Sequence, residues 1–461
     1  MTPQNHVPTR LPLAWLAAVG VVLLLNAGFF ALSILTTHLP RERFRDRVRE
    51  AFAAGELVER DYLPFDARRG HHQYVECRIL QMLTNERAPS VGEAVGPWLH
   101  VRDSTHTGRC RTLRELVVEN SDPAVFRASF PHTRYWNGYL PVAALALSAV
   151  DLRTARLTLQ MLAYGSLLLL LGVSLRSRGL SRVVGVCIAA TGLAFWALPY
   201  FGQAFAHATG DILIVLAIVT LIFTGDRLRP YRVFLPFCGA FGALVVYFEC
   251  LSGQLPTAAG FLFATSYASV TSATETGGSR TVAWRFAFAG ITAFALGAAI
   301  TVIVKQLLVM AFVGGDALGD FAGHLQFYMR PAIPDDVLPT VLRPFFRLMR
   351  SVNTLTYDSR PTSWALMGSS ALAWGVGLLL TARRRRATKS TTFLSDYLAL
   401  AGAAAVMVVW VLLLPTHTSI HAGFMVRMAI LPIALGWAAL AWSVLGGQET
   451  ASPAMSRGAA R

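Results

Sequence analysis

LPLAWLAAVGVVLLLNAGFFALSILT, residues 11–36, carries no charged side chain. An apolar run of about 18 or more residues is long enough to cross a bilayer as a helix. The run is too long for a removed signal and ends without a small-residue cleavage site, so it reads as an uncleaved anchor. Outward from it, further apolar stretches fall near 155–175, 183–200, 208–224, 233–251, 257–273, 284–313, 363–382, 396–414 and 424–446. Composition agrees. Hydrophobic residues make up 54% of the 461 and charged residues 15%, where a soluble domain carries roughly a quarter charged. The expected fold class is therefore all-α integral membrane, with about ten transmembrane helices. The piece 138–150 is apolar but short, which predicts an interfacial or re-entrant helix.

Arginine sets the expected orientation. With Arg10 on the cytoplasmic side, the short links on that side carry Arg176, Arg178 and Arg182, then Arg227, Arg229 and Arg232, then Arg280 and Arg285, then Arg383 to Arg386 with Lys389. Basic residues concentrate in cytoplasmic links. This divides the chain into a cytoplasmic tail with the first span (1–36), a first periplasmic loop (37–135), a membrane bundle (136–446) with a second periplasmic loop at 314–362, and a cytoplasmic tail (447–461). A bacterial inner membrane, with the working face toward the periplasm, is the expected location. The net charge of +15 is explained by these links, and no recognition motif accompanies it, so nucleic acid is excluded as a partner. No internal repeat is visible, which speaks against a transporter built from inverted halves.

In the first loop, RERFRDRVREAFAAGELVER (41–60) places Phe44, Val48 and Phe52 at helical spacing. That pattern fits a helix lying on the bilayer surface or an ordinary solvated one. Cys77 and Cys110 share this loop and can form a disulfide if it faces an oxidising compartment. Cys187, Cys238 and Cys250 lie in or beside spans and read as packing residues.

The residues suited to chemistry collect on the outer side. DYLPFDARRGHHQYVECRIL (61–80) brings together Asp61, Asp66, His71, His72, Gln73 and Glu76, which can supply a general base or hold a divalent cation. Glu76 stands among Val75, Ile79, Leu80, Met82 and Leu83, so its acid is expected to point into a pocket. A metal, if any, would take Glu76, Asp66 and His72; no cofactor is otherwise implied. HTRYWNGYLP (132–141) sets His132, Arg134 and Asn137 beside Tyr135, Trp136 and Tyr139. These aromatics suit either a membrane-interface anchor or a sugar and phosphate contact. His207 with Asp211, Glu249, Lys305 and His324 fall at outer span ends. Lys305 follows the apolar run 292–304 and must snorkel or meet an anion. In PTHTSIHAGFMVRM (415–428), His417 and His421 are one helical turn apart. Arg427 enters the last span in need of a partner, and with these histidines it would form a phosphate clamp.

QYVECRILQM, RYWNGY, YFECLSGQLPT, IVKQL and HTSIHAGFMVR together resemble a set of bacterial membrane proteins of the GT-C glycosyltransferase superfamily. The resemblance covers most of the chain as topology and about fifty residues as motif. It implies an enzyme that takes a sugar from a polyprenyl-phosphate carrier, inverts the anomeric centre and passes the sugar to a periplasmic glycan or protein. Similar proteins move arabinofuranose or glycosylate type IV pilins. By resemblance Glu76 would be the base, with Asp61 and Asp66 as the alternatives. Trp136, Asn137, Arg134, His207, Glu249, Lys305, His417, His421 and Arg427 would hold substrate and phosphate. The family pattern has Asp where Glu76 and Glu249 stand and His where Asn137 stands. The rival readings are a flippase or transporter for lipid-linked sugars and a polysaccharide polymerase or ligase.

Overall fold

The computed structural model describes residues 11–61, 73–101, 108–126, 128–228, 230–248, 253–273, 280–330, 342–356 and 359–449. Asp66, His71, His72, Glu249 and Cys250 lie outside them. In a bilayer a backbone N–H or C=O finds no partner but its own chain, so apolar runs settle as helices. Helix α1 is Leu11–Thr37. A compact outer unit follows, with α2 (Arg41–Ala53), α3 (Gln73–Thr84), α4 (Val91–Val95), strand β1 (Trp98–Val101), α5 (Arg109–Val117) and strand β2 (Ala128–Pro131). The two strands pair antiparallel, with Leu99 opposite Phe130. The short apolar helix α6 (Tyr139–Ala149) packs beneath this unit, against α1, α2, α3 and α10.

The bundle continues with α7 (Leu152–Arg176), α8 (Gly179–Phe195), α9 (Leu198–Phe201), α10 (Phe205–Leu228), α11 (Tyr231–Phe248), α12 (Gln254–Ala273) and α13 (Arg280–Phe312). The second loop folds into α14 (Ala317–Met329) and α15 (Arg343–Ser351). After it come α16 (Arg360–Thr388), α17 (Thr392–Leu413), the short α18 (Pro415–Ile420) and α19 (Ala422–Met425), and finally α20 (Ile430–Glu449). Among the described residues eight segments are long and apolar enough to cross a membrane: α1, α7, α11, α13, α16, α17, Phe205–Gly225 and Val426–Leu445. Helix α8 has 17 residues. Helix α12 sits at the centre, against α8, α10, α13 and α17, with most of its positions buried. A helix wrapped by protein does not need a lipid-facing apolar surface. Its Thr257, Thr265 and Thr271 hydroxyls donate to carbonyls three or four residues earlier.

Helices α11 and α13 run parallel and touch backbone to backbone. A Cβ on Gly297 would clash with the Gly239 carbonyl, and one on Gly242 with that of Phe294. Small residues bring membrane helices this close and gain dispersion contact in return. Asn26 ties α1 to α13, its Nδ2 donating to Thr301 Oγ1 at 3.0 Å.

Two junctions place the arginine-bearing links at one end. The end of α7, the start of α8 and the ends of α10 and α12 meet around Ser177, Ser181, Thr224 and Ser272. The starts of α13 and α17 and the ends of α12 and α20 meet at Asp396, which is fully buried. Asp396 accepts from Arg280 Nε at 3.0 Å, Tyr267 Oη at 2.9 Å and Trp442 Nε1 at 3.0 Å. The outer unit, α14 and α18 lie at the opposite end.

The apolar face of α2 is not on a bilayer surface. Phe44, Val48 and Ala51 are buried against α3, α5, α6 and α7. Cys77 and Cys110 are bonded and join α3 to α5.

Candidate functional site

A cavity of about 520 Å³ opens where the outer unit meets the bundle. Helix α3 contributes Tyr74 and Arg78, α5 contributes Arg109, and the chain after β2 contributes His132, Arg134 and Tyr135. The head of α10 adds His207 and the end of α13 adds Gln306. Asp320, His324 and Tyr328 come from α14, and His417 and His421 from α18 and its cap. Three guanidinium groups and five imidazoles thus face one space. Asp320 is the one carboxylate lining it among the described residues.

Arg109 and Arg78 are held rather than loose. Arg109 donates from Nη1 to the His100 carbonyl at 3.0 Å, and its guanidinium lies 5.9 Å from the Tyr74 ring. Arg78 Nη2 lies 2.7 Å from His132 Nε2. The network around Asn137 fixes which nitrogen of His132 carries the proton. Asn137 Nδ2 donates to the Tyr135 carbonyl at 3.1 Å, so Oδ1 is its acceptor face. Oδ1 receives Tyr139 Oη at 2.6 Å and His132 Nδ1 at 2.9 Å. His132 therefore donates from Nδ1 and accepts from Arg78 at Nε2, as a neutral ring. Burial, and then the Arg78 charge, hold its pKa well below the usual histidine range. Asn137 takes left-handed backbone, φ 58°, a conformation that asparagine tolerates.

The opposite wall is aromatic. His324 and Tyr328 are one turn apart on α14, Tyr328 meets His417 edge-on at 4.5 Å, and His417 lies 4.8 Å from His421. Burial, then His417 and Arg78, push His421 down to about 4. At neutral pH His132 and His421 are uncharged, and the three arginines bring positive charge to the cavity. A groove lined by Arg134, His324, Tyr328 and the exposed Phe327 adjoins the cavity.

Several residues expected at a ligand stand elsewhere. Glu76 is buried, but it faces Arg156 of α7, not the cavity. Arg156 Nε donates to Glu76 Oε1 at 3.1 Å, Nη2 pairs with Oε2, and Nη1 donates to the Glu56 carbonyl at 2.9 Å. With both oxygens on Arg156, Glu76 is not placed to reach a substrate in the cavity, and the base assignment is corrected accordingly. Asp61 Oδ1 accepts the Cys110 N–H at 2.9 Å and is likewise outside the cavity. Arg427 pairs with buried Asp211, which also accepts from Gln254 Nε2 at 3.0 Å. It is not the clamp arginine. Lys305 neither snorkels nor lines the cavity: it donates to the Val95 carbonyl of α4. Trp136 is no interface anchor and lies outside the cavity, buried against Phe29 with Nε1 donating to the Thr301 carbonyl at 2.9 Å. Arg134, His207, His417 and His421 do line the cavity. Asp66, His72 and Glu249 fall outside the described residues, and among these no group of three His, Cys, Asp or Glu is placed to hold a metal.

The chain matches no known family profile, no curated protein and no solved structure.

Sequence reading missed Arg78, Arg109, Asp320, Tyr328 and Arg156. For Arg156 a signal existed: an arginine inside LRTARLTLQ, within an apolar span, requires a partner.

Proposed function

We propose that this protein is a polytopic membrane glycosyltransferase that moves a sugar from a polyprenyl-phosphate donor to a glycan or protein acceptor at the outer face. The observation that carries the reading is the composition of the cavity: fixed arginines on one wall, an aromatic wall opposite and an apolar groove beside it. An amphiphile with a phosphate head meets all three. Arg78 and Arg109 face the phosphate and take up the charge that develops as it leaves. Tyr328 and His417 offer flat faces to a sugar ring. Phe327 lies where a lipid chain would run. Asp320 replaces Glu76 as the proposed base and takes the acceptor hydroxyl's proton as that oxygen attacks C1. The C1–O bond to phosphate breaks on the opposite side of the ring, giving inversion.

We read α8 and α12 as crossing too, which makes ten spans. The arginine-rich end is then cytoplasmic. The Cys77–Cys110 bond lies at the other end, as a periplasmic face of an inner membrane would allow.

The test is sugar transfer in membranes from a panel of polyprenyl-phosphate sugars, including arabinofuranose. Asp320→Asn should lower kcat by about 10²–10⁴-fold, the usual worth of a general base, with fold and donor binding kept. Arg78→Gln should weaken both donor binding and turnover. Unchanged turnover in Asp320→Asn removes the base assignment. Movement of intact donor across the bilayer without transfer favours the flippase, and use of preassembled glycan diphosphates favours the ligase.

A further inference from the structure

The opposite end of the bundle holds a second polar pocket, of about 330 Å³, where α7 and α8 join and α10 and α12 end. Its lining includes Arg178, Arg227, Ser181 and Ser272. Three of its hydroxyls are already committed: Ser177, Thr224 and Ser269 donate to carbonyls of their own helices. The others are not. Ser272 Oγ accepts the Ser181 N–H at 2.9 Å and keeps its own hydrogen for another acceptor. Ser181 is 6% exposed, and its Oγ has no hydrogen-bond partner among the described residues. A buried hydroxyl left without a partner costs stability, so its presence calls for an acceptor that binds there.

Helix α8 begins at this pocket. It has 17 residues, so its dipole is developed, and its cap residue Arg178 makes no side-chain capping bond. The first N–H groups of a helix have no acceptor within it, and the end carries partial positive charge. Gly179 opens the helix at φ 55°, and Ser272 packs against its Cα where a side chain would crowd it. Two arginines, two uncommitted hydroxyls and a helix N-terminus therefore face one space. Each is a donor or a positive charge, and together they suit a tetrahedral oxyanion.

We propose that this pocket binds a phosphate group at the arginine-rich end of the bundle. The inference is independent of what the outer cavity does. The phosphate belongs either to an anionic phospholipid headgroup, whose chains would lie against the exposed Phe223 beside it, or to a small soluble ion.

The experiment is thermal unfolding of the full-length protein in neutral detergent, titrated separately with inorganic phosphate, dihexanoyl phosphatidylglycerol and dihexanoyl phosphatidylcholine. A saturable rise in Tm with phosphatidylglycerol alone assigns the headgroup; a rise with inorganic phosphate as well assigns a general phosphate site. The Arg178→Gln/Arg227→Gln pair should weaken the apparent Kd by about tenfold or more, since charge-assisted bonds are lost. Ser181→Ala removes a hydroxyl that bonds nothing among the described residues, so it should hold or raise the unliganded Tm and still weaken binding severalfold. Arg182→Gln is the control, because Arg182 donates to the Leu175 carbonyl and lies outside the pocket. The proposal fails if neither ligand shifts Tm, or if phosphatidylcholine acts as strongly. It fails equally if the arginine pair or Ser181→Ala binds like the wild type, or if Arg182→Gln loses as much as they do.

Discussion

Glu76 and Arg156 are both almost wholly shielded, and neither charge can be left alone there. Removing one partner of a buried ion pair costs about 3–5 kcal/mol, because the other stays buried without compensation. Arg156→Met should therefore lower Tm sharply or prevent recovery of monodisperse protein. Glu76→Leu combined with Arg156→Met should regain much of the loss, because apolar side chains can replace a buried pair. An unchanged Tm in Arg156→Met would show that the pair is not formed. The same contrast explains what could be read from sequence at this scale. Apolar neighbours marked Glu76 as buried, and that held. They could not say that the space it enters holds a guanidinium 80 residues away. Arg427 repeats the lesson: its need for a partner was legible, but the partner proved to be Asp211 and not a ligand.

Among the elements, the spans were the most legible part, because a bilayer demands length and apolarity and little else. For helix α2 the sequence left a bilayer surface and an ordinary solvated helix open, because amphipathicity specifies an apolar stripe, not what covers it; here the covering is α3, α5, α6 and α7. The contact between α11 and α13 depends on a finer feature, the absence of side chains at Gly239, Gly242 and Gly297. Gly297→Leu should force the two helices apart. Overpacking typically costs about 1–3 kcal/mol, and more where backbone is the obstacle. The expected result is a lower Tm in detergent and weaker donor binding, since Gln306 at the outer end of α13 would shift with its helix. The nearest atoms a Cβ on Gly290 would meet belong to the Phe234 ring and the Cys238 sulfur, not to backbone, so Gly290→Ala should be milder. Equal Tm values for Gly297→Leu and the wild type would show that the helices are not in this register.

Over the whole molecule, arginine stands at both ends: in the links of one, and beside the neutral rings of His132 and His421 in the cavity of the other. That placement gives a pH dependence with a definite sign. His132 and His421 sit outside the spans with their protonated forms disfavoured, His132 beside Arg78, Arg134 and Lys305, and His421 beside His417 and Arg78. An unfolded histidine takes up its proton near pH 6.5, whereas native His421 waits until about 4. Between these limits the unfolded state binds more protons, so stability falls as the pH falls. From pH 6.5 to 5, above the carboxylate range, each such ring should cost on the order of 1 kcal/mol per pH unit. The measurement is Tm against pH for the wild type and His421→Gln, with and without polyprenyl phosphate. The variant should show the shallower fall. A phosphate bound against these rings favours their charged forms, so the lipid should also flatten the wild-type curve and bind more tightly at pH 5.5 than at 7.5. If the lipid binds but leaves the slope unchanged, its phosphate does not sit among the imidazoles. The cavity would then hold some other part of the substrate, and Arg134 with the groove beside α14 becomes the place to look for the head group.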